Sequence, residues 1–340
     1  MNTRLRALSN FSITDKCNGR CKMCNIWKTE PRQEPQLEQI EKFFNENKKS
    51  LLDLRFIQLT GGEPFLRKDL PDIVEIMHHA VPGAMIWIPT NGLLPDEIHE
   101  STRLILNKIT GSKLGITVSL DGDAEMNDAQ RGVDGGFRKA VQTIKNLSGL
   151  KKEHGFGLTT GFTLTGENYV YAPIVQKIGY RLGTDFSFRP INFSEHYYQN
   201  TDQQDMLQPD QILPYLEYVA INLKREKGVI KSVTNLAYIK GAKEFIKGQR
   251  TLKCSAASES VYIDTVGDVY PCLIMNQKLG NIYQNSLEDI LASPSAWEAR
   301  EIIQNLDCPT CWLECEVYRD LIKDRKRLFD AFLWAVTLSS

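Results

Sequence analysis

Short apolar runs alternate with longer amphipathic segments from about residue 11 to residue 190, and turn residues separate them. The longer segments have helical spacing, as in Ile73, Ile76 and Met77, whereas the short runs have the length of strands. Such alternation predicts βα units built on a parallel sheet. The predicted strands are 8–14, 55–60, 84–90, 114–120, 156–165 and 185–190. The predicted helices between them are 37–47, 69–80, 96–109, 137–150 and 169–182.

This order of elements predicts an α/β fold, either a partial (β/α)6 TIM-like barrel or an open parallel sheet, with ligands at the carboxyl ends of the strands. After residue 190 the alternation stops, and one further helix is predicted at 210–224. The cysteines that follow lie in short, turn-rich segments. The expected divisions are a barrel domain at 1–190, a linker and helical connection at 191–253, a small cysteine-rich domain at 254–320 and a C-terminal helix at 321–340.

Composition narrows the class of protein. The 340 residues include 41 basic and 42 acidic side chains, so the chain lacks the basic surplus typical of nucleic-acid binding. No signal peptide is evident, and no apolar run approaches the ~18 residues that predict a membrane span. We therefore expect a cytoplasmic protein, in which the eight cysteines serve as metal ligands before disulfides.

The C-terminal helix has a membrane-like pattern, because a basic stretch (KDRKR) runs into an apolar one (LFDAFLWAV). A helix of this kind can lie on a membrane surface. We expect it instead to dock on its own domain, with membrane contact as the alternative.

Three cysteines near the N-terminus, Cys17, Cys21 and Cys24, have the spacing CxxxCxxC. Thiolates select zinc, copper or iron–sulfur clusters. A structural zinc ion is almost always coordinated by four protein ligands, and no further His or Cys lies close to these three in the sequence. A four-iron cluster on three thiolates would leave one iron open for chemistry, with a partial zinc site as the alternative.

Two further motifs follow predicted strands, the GGEP run at 61–64 and the SLDG run at 119–122. Glycines allow the backbone to approach a ligand closely, and Glu63 offers a carboxylate acceptor for an ammonium group. Ser119 and Asp121, two apart at a strand end, point to the same side and can bind ribose hydroxyls.

Together these motifs resemble the radical S-adenosylmethionine (radical SAM) enzymes over roughly residues 5–190. The resemblance implies that the cysteine triad holds a [4Fe–4S] cluster, whose open iron is chelated by S-adenosylmethionine, in an oxygen-sensitive enzyme. It also implies an electron donor such as flavodoxin or ferredoxin. Met23 stands where the family usually has an aromatic residue. The implied cofactor-binding residues are Gly61, Gly62, Glu63, Pro64, Asn91, Ser119, Asp121, Arg131 and Met23.

The remaining cysteines resemble those of SPASM and twitch extensions, which carry auxiliary iron–sulfur clusters. A complete SPASM domain has seven cysteines, and this region has five, so we expect one auxiliary [4Fe–4S] cluster acting as electron acceptor or relay. Cys315 is a possible alternative ligand, and structural zinc is the alternative metal. The expected ligands are Cys254, Cys272, Cys308 and Cys311.

The segment after the last predicted strand supplies candidates for acid–base chemistry or substrate contact. An interdomain linker with packed aromatic residues is the alternative interpretation, and for Arg189 it is a buried structural pair. The candidate catalytic residues are Arg189, Glu195, His196 and Tyr197.

These features predict a radical SAM oxidoreductase-type enzyme that abstracts hydrogen from a small molecule, in a dehydrogenation, epimerisation or related change on a sugar, aminocyclitol or other metabolite. Only sixteen residues precede Cys17, which argues against an N-terminal peptide-recognition domain. The alternative is a peptide or protein maturase that forms a thioether, a carbon–carbon crosslink or formylglycine. A non-catalytic metal-binding relative is the third hypothesis.

Overall fold

The fold was derived from a computed structural model, which describes residues 4–338 apart from the side chains of 225–227 and 231. Residues 1–3 of the expected barrel domain and 339–340 of the expected C-terminal helix lie outside the described residues. The strands are β1 Ala7–Thr14, β2 Phe56–Gly61, β3 Met85–Thr90, β4 Leu114–Ser119, β5 Gly157–Leu164, β6 Asp185–Pro190, β7 Ser260–Ile263, β8 Asp268–Tyr270 and β9 Gly280–Asn281.

Helices connect the first six strands and build most of the C-terminal region. The helices are α1 Leu37–Glu46, α2 Lys48–Leu51, α3 Leu70–Ala80, α4 Pro95–Lys108, α5 Ala124–Arg131, α6 Gly136–His154, α7 Ala172–Arg181, α8 Pro209–Ile246, α9 Leu287–Ala292, α10 Pro294–Gln304, α11 Glu314–Leu321 and α12 Arg325–Thr337.

The strands form one nine-stranded sheet in the order β6-β5-β4-β3-β2-β1-β7-β8-β9. Strands β1 to β6 are parallel neighbours, as βα units require, and they form the partial barrel expected from the sequence. The sequence did not predict that β7 would also pair in parallel with β1, in a register that places Val261 beside Leu8. The C-terminal region therefore extends the barrel sheet directly.

Side chains alternate along the barrel strands between the hydrophobic core and the barrel lumen. On β3, Ile86 and Ile88 are fully buried in the core, whereas Trp87 and Pro89 line a cavity in the lumen. The Trp87 ring lies over Gly115 of β4, where an alanine Cβ would be 2.0 Å from the ring. A glycine at this position thus leaves room for the indole.

An ion-pair bridge fastens the loop after β1 to the C-terminal region. Arg32 Nε donates to Asp15 Oδ2 at 2.7 Å, and its Nη1 donates to Asp264 Oδ2 at 2.6 Å. Thr265 Oγ1 donates to Asp15 Oδ1 at 2.6 Å. The ion-pair bridge and the β1–β7 pairing therefore both join the N-terminal part of the barrel to the C-terminal region.

The helix predicted at 210–224 is wrong in its end point. Helix α8 continues to Ile246 and is broken at Gly228, whose φ of 73° belongs to the left-handed region that glycine tolerates. The C-terminal helix α12 docks along α8, with Lys224 Nζ donating to the Leu338 carbonyl at 2.6 Å. Among the helices of residues 4–338, none is both long and apolar enough to cross a membrane.

Candidate metal and cofactor site

The N-terminal cysteines lie in the loop that leaves the carboxyl end of β1. Cys17, Cys21 and Cys24 line one cavity of about 130 Å³, here called the cluster cavity. The loop is fixed on one side by α5, because the Arg20 and Lys22 amides donate to carbonyls of α5 at 2.9 Å. On the other side the segment after β6 holds it. The sequence therefore brings the three thiols together on a tied loop.

The surroundings of these thiols suit thiolates that carry a cluster. Burial raises the pKa of Cys17 to about 11 and that of Cys24 to about 12, so a bound cation is needed to stabilise their charged forms. Arg131 Nη1 lies 3.8 Å from the Cys21 sulfur, and Asn91 Nδ2 lies 3.9 Å from the Cys17 sulfur. Donors around ligating sulfur are typical of iron–sulfur sites.

Gly61 and Gly62 let two segments of this chain approach each other. An alanine Cβ would lie 2.0 Å from the Thr14 carbonyl at Gly61 and 2.1 Å from the Lys16 carbonyl at Gly62. The Gly62 amide donates to Thr14 O at 2.9 Å, and the Glu63 amide donates to Lys16 O at 2.8 Å. These contacts show that the glycines make room for the start of the cysteine loop; both also line the cluster cavity, and their approach to a ligand stays a prediction.

Glu63 is buried in the wall of the cluster cavity and accepts three hydrogen bonds. Its carboxylate accepts from the Asn91 amide at 2.7 Å, from Thr90 Oγ1 at 2.8 Å and from the Phe65 amide at 3.2 Å. Burial nevertheless raises the pKa of Glu63 to about 7. A bound cation would stabilise the carboxylate, as expected for a residue that receives an ammonium group.

Asp121 and Arg131 form a buried ion pair behind the cluster cavity. Asp121 is fully buried, its Oδ2 lies 2.6 Å from Arg131 Nε, and its Oδ1 accepts from the Thr163 amide at 2.7 Å. Ser119 lines the cluster cavity whereas Asp121 does not, and the expected contact of Asp121 with a ribose stays a prediction. Arg131 does line the cluster cavity, and burial alone would lower its pKa, but Asp121 and Cys21 raise it.

The other expected cofactor residues surround the same cavity, with one exception. Ser119, Asn91 and Met23 line it, and Met23 packs with Ile191 in a small apolar cluster that offers a surface for a flat ring. Pro64 instead begins a short 3-10 turn that Glu63 caps. Its role is to shape the GGEP turn.

Four of the later cysteines meet around a second, small internal cavity, here called the auxiliary cavity. The amides of Ala256 and Met275 donate at 3.5 Å to the sulfurs of Cys254 and Cys272. Burial raises the pKa of Cys272 to about 12. In the described part of the chain no three metal-ligating side chains are close enough to share one ion. The four thiols are Cys254, Cys272, Cys308 and Cys311.

Cys315 lies apart from the auxiliary cavity. Its sulfur accepts a hydrogen bond from Asn10 Nδ2 at 3.6 Å and lines the barrel lumen. Cys315 therefore does not line the auxiliary cavity, and its role as an alternative ligand of the auxiliary cluster stays a prediction.

The four candidate catalytic residues are divided between two places. Arg189 and Tyr197 line the cluster cavity, where the Tyr197 hydroxyl lies 2.8 Å from Thr60 Oγ1 and donates to the Gly61 carbonyl at 3.2 Å. His196 instead stacks on Tyr270 at 4.8 Å, and burial lowers its pKa to about 4. Glu195 is exposed and accepts from Asn276 at 3.0 Å. Neither His196 nor Glu195 lines the cluster cavity.

The barrel lumen holds a larger cavity that the sequence did not reveal. This lumen chamber has a volume of about 650 Å³, and α11 closes its open side. It shares five wall residues with the cluster cavity, so the two spaces adjoin. Burial raises the pKa of Glu314, at the start of α11, to about 7. The shared residues are Gln58, Pro89, Ser119, Thr163 and Arg189.

Comparison with known proteins agrees with this arrangement. The profile of the radical SAM superfamily matches residues 11–174, and that of the SPASM iron–sulfur cluster-binding domain matches residues 254–316. The antilisterial bacteriocin subtilosin biosynthesis protein AlbA of Bacillus subtilis is 26% identical over 86% of this chain and 61% of its own length. The chain thus spans about three fifths of that relative.

Two more proteins are similar over most of the chain. The AdoMet-dependent heme synthase of Methanosarcina barkeri is 24% identical over 90% of this chain and 86% of its own length. The structure of Streptococcus suis SuiB bound to S-adenosylmethionine superposes with a TM-score of 0.64 at 19% identity, over 96% of this chain and 76% of SuiB. The structural likeness shows the fold.

Proposed function

The chain is a radical SAM protein with a C-terminal SPASM domain, and from this premise we propose that it is an enzyme acting on a small molecule in the lumen chamber. Its cofactors are a [4Fe–4S] cluster with S-adenosylmethionine and auxiliary iron–sulfur chemistry in the SPASM domain. When bound, the first cluster and S-adenosylmethionine supply a 5′-deoxyadenosyl radical, which takes a hydrogen atom from an unactivated C–H bond.

The residues around the cluster cavity divide the work of binding. Cys17, Cys21 and Cys24 would hold the cluster and leave one iron without a protein ligand. Glu63 would accept the ammonium group of S-adenosylmethionine, and Met23 would contact its adenine ring. In this proposal Asp121 acts through Arg131, which it holds beside the Cys21 sulfur.

The proposal rests mainly on one observation: the lumen chamber adjoins the cluster cavity. A volume of about 650 Å³ falls within the range of small-molecule sites, about 300–1,000 Å³. Gln58, Ser119 and Arg189 belong to both walls, so a substrate in the chamber reaches the place where hydrogen would be abstracted. The change could be a dehydrogenation, an epimerisation or a related oxidation.

The auxiliary cavity supports one further [4Fe–4S] cluster on Cys254, Cys272, Cys308 and Cys311. With four thiolates every iron of this cluster would have a protein ligand, so the cluster would accept or relay an electron and would not bind substrate. Reduction of the first cluster requires a donor such as flavodoxin or ferredoxin. Free thiols in this number also favour the reducing cytoplasm.

A second candidate function is peptide modification, with formation of a thioether, a carbon–carbon crosslink or formylglycine. It is favoured by the similarity to AlbA, whose name places it in bacteriocin biosynthesis. A groove of about 500 Å³ between the segment after β6 and the SPASM domain could receive an extended peptide. Phe193, Glu195 and Thr310 line this groove.

Anaerobic reconstitution with iron and sulfide, followed by dithionite and S-adenosylmethionine, tests the proposal. We expect methionine and 5′-deoxyadenosine from the wild-type chain and neither from Cys21→Ala. If the wild-type chain releases neither product while holding its clusters, the non-catalytic hypothesis replaces the enzyme hypothesis. Stimulation by a peptide, but by no small molecule, would select the second function.

A further inference from the structure

Two opposite charges face the lumen chamber without forming a contact ion pair, although each favours the charged form of the other. Arg189 is the last residue but one of β6, and Glu314 begins α11 on the facing side. Within residues 4–338 the Arg189 guanidinium has no hydrogen bond and no ion pair, and its distance to the Glu314 carboxylate exceeds the 4.0 Å limit for one. The neighbour of Glu314 is the Ser187 hydroxyl, which hydrogen-bonds to it.

Most of the other charged groups of the chamber wall are paired, with Arg55 as the exception among the described residues. Arg319 contacts Glu316, and Lys323 contacts Glu259. Arg131, in the neighbouring cluster cavity, is held by Asp121 at 2.6 Å. Arg189 and Arg55 are the wall guanidiniums for which the described residues show no ion pair, and of these two only Arg189 also lines the cluster cavity.

A guanidinium that is partly withdrawn from water and has no ion-pair partner costs free energy unless a ligand provides one. Guanidinium binds carboxylate through two parallel hydrogen bonds, which gives both strength and orientation. A carboxylate such as Glu314 binds ammonium in turn. A neutral sugar would leave Arg189 and Glu314 without an oppositely charged partner, whereas a zwitterion would provide a partner for each.

We propose that the lumen chamber binds a free amino acid or an amino-acid-derived small molecule, with its carboxylate on Arg189 and its ammonium group on Glu314. This inference rests on the proposed function, because it names the substrate class of the same site. Arg189 also belongs to the wall of the cluster cavity, so a carboxylate held there places the α-carbon beside that cavity.

Binding to the cluster-loaded chain with S-adenosylmethionine tests the inference without turnover. Each common L-amino acid is titrated singly to about 10 mM by calorimetry, the range of weak complexes. Quenching of tryptophan fluorescence, and its loss in Trp87→Phe, locates the ligand in the chamber. For each amino acid that binds, its amide and its decarboxylated amine are titrated in parallel.

We expect at least one amino acid to bind, and Arg189→Gln to weaken it by about tenfold or more without changing the affinity of the amide. Glu314→Gln should weaken the amino acid and its decarboxylated amine alike. Arg181→Gln, which removes an exposed charge at the end of α7, is the matched control and should bind as the wild type does. Circular dichroism confirms that each variant is folded.

The inference is overturned if no amino acid binds the wild-type chain, or if both chamber variants bind as the wild type does. Its failure is distinct from failure of the proposed function, because dithionite-driven release of methionine is measured in the same preparation. Cleavage without amino-acid binding removes only the substrate class. Binding without cleavage removes only the enzyme hypothesis.

Discussion

Replacement of Gly62 by alanine tests how the GGEP turn supports the cysteine loop. The new Cβ would lie 2.1 Å from the Lys16 carbonyl oxygen and 2.5 Å from its carbon, whereas ordinary contact begins at 3.4 Å. The obstacle is backbone: the Lys16 carbonyl accepts from the Glu63 amide at 2.8 Å, and the Thr14 carbonyl in the same segment accepts from the Gly62 amide at 2.9 Å. Relief therefore requires the loop before Cys17 to move away from β2.

The cost follows from these contacts. Overpacking of a close-packed site costs about 1–3 kcal/mol, and each weakened hydrogen bond adds about 0.5–1.5 kcal/mol. We expect Gly62→Ala to lower the free energy of unfolding of the metal-free chain by about 2–6 kcal/mol in urea titrations. We also expect iron after reconstitution to fall from about eight to about four per chain, because the first cluster is lost and the auxiliary cluster is kept.

Gly149→Ala is the matched control, since that exposed glycine lies within α6 and a Cβ there meets nothing within 4 Å. It should raise stability by about 0.5–1 kcal/mol, because alanine favours helix over glycine. Full iron and unchanged stability in Gly62→Ala would refute the reasoning. If only the affinity for S-adenosylmethionine fell, the glycine would serve the ligand, as the sequence alone had suggested.

Three other changes test the sites. The pKa of Glu63 is about 7, so the affinity for S-adenosylmethionine should rise with pH up to pH 7, approaching tenfold per pH unit below pH 7. Glu63→Gln should abolish that pH dependence. A flat pH profile of the wild-type affinity would contradict the role of Glu63 as acceptor of the ammonium group. Cys311→Ala should remove about four irons and Cys315→Ala none, so equal losses would return Cys315 to the cluster. Asp121→Asn should destabilise the metal-free chain by about 3–5 kcal/mol in urea, because Arg131 stays buried without its partner; a change below about 1 kcal/mol would mean that the pair is dispensable.

Local signals were enough to predict the barrel strands. All six lie within a few residues of their predicted bounds, because short apolar runs bounded by turn residues have few alternative structures. The pairing of β7 with β1 could not be predicted, since strands some 250 residues apart carry no local mark of their register. The break at Gly228 in α8 was likewise hidden, because helical spacing continues beyond it.

The sequence predicted which residues surround the site better than it predicted which of them contact one another. The cysteine loop, Glu63 and Arg131 surround one cavity, as expected from their positions at strand ends. The ion pair of Asp121 with Arg131 was not predicted, because the sequence does not show which buried charges meet. The lumen chamber did leave a signal, since Gln58 and Thr117 are polar positions in strands of a parallel sheet that would otherwise be continuously apolar.

The pairing of β1 with β7 also has a consequence for how the protein is made. All eight residues of strand β1 are buried in the finished sheet, yet one of its two neighbours, β7, is synthesised some 250 residues later. Until then its free edge is open to other chains, as unpaired edges are in aggregation. We therefore expect a chain that ends before residue 260 to expose this edge and to aggregate more readily than a chain that includes β7.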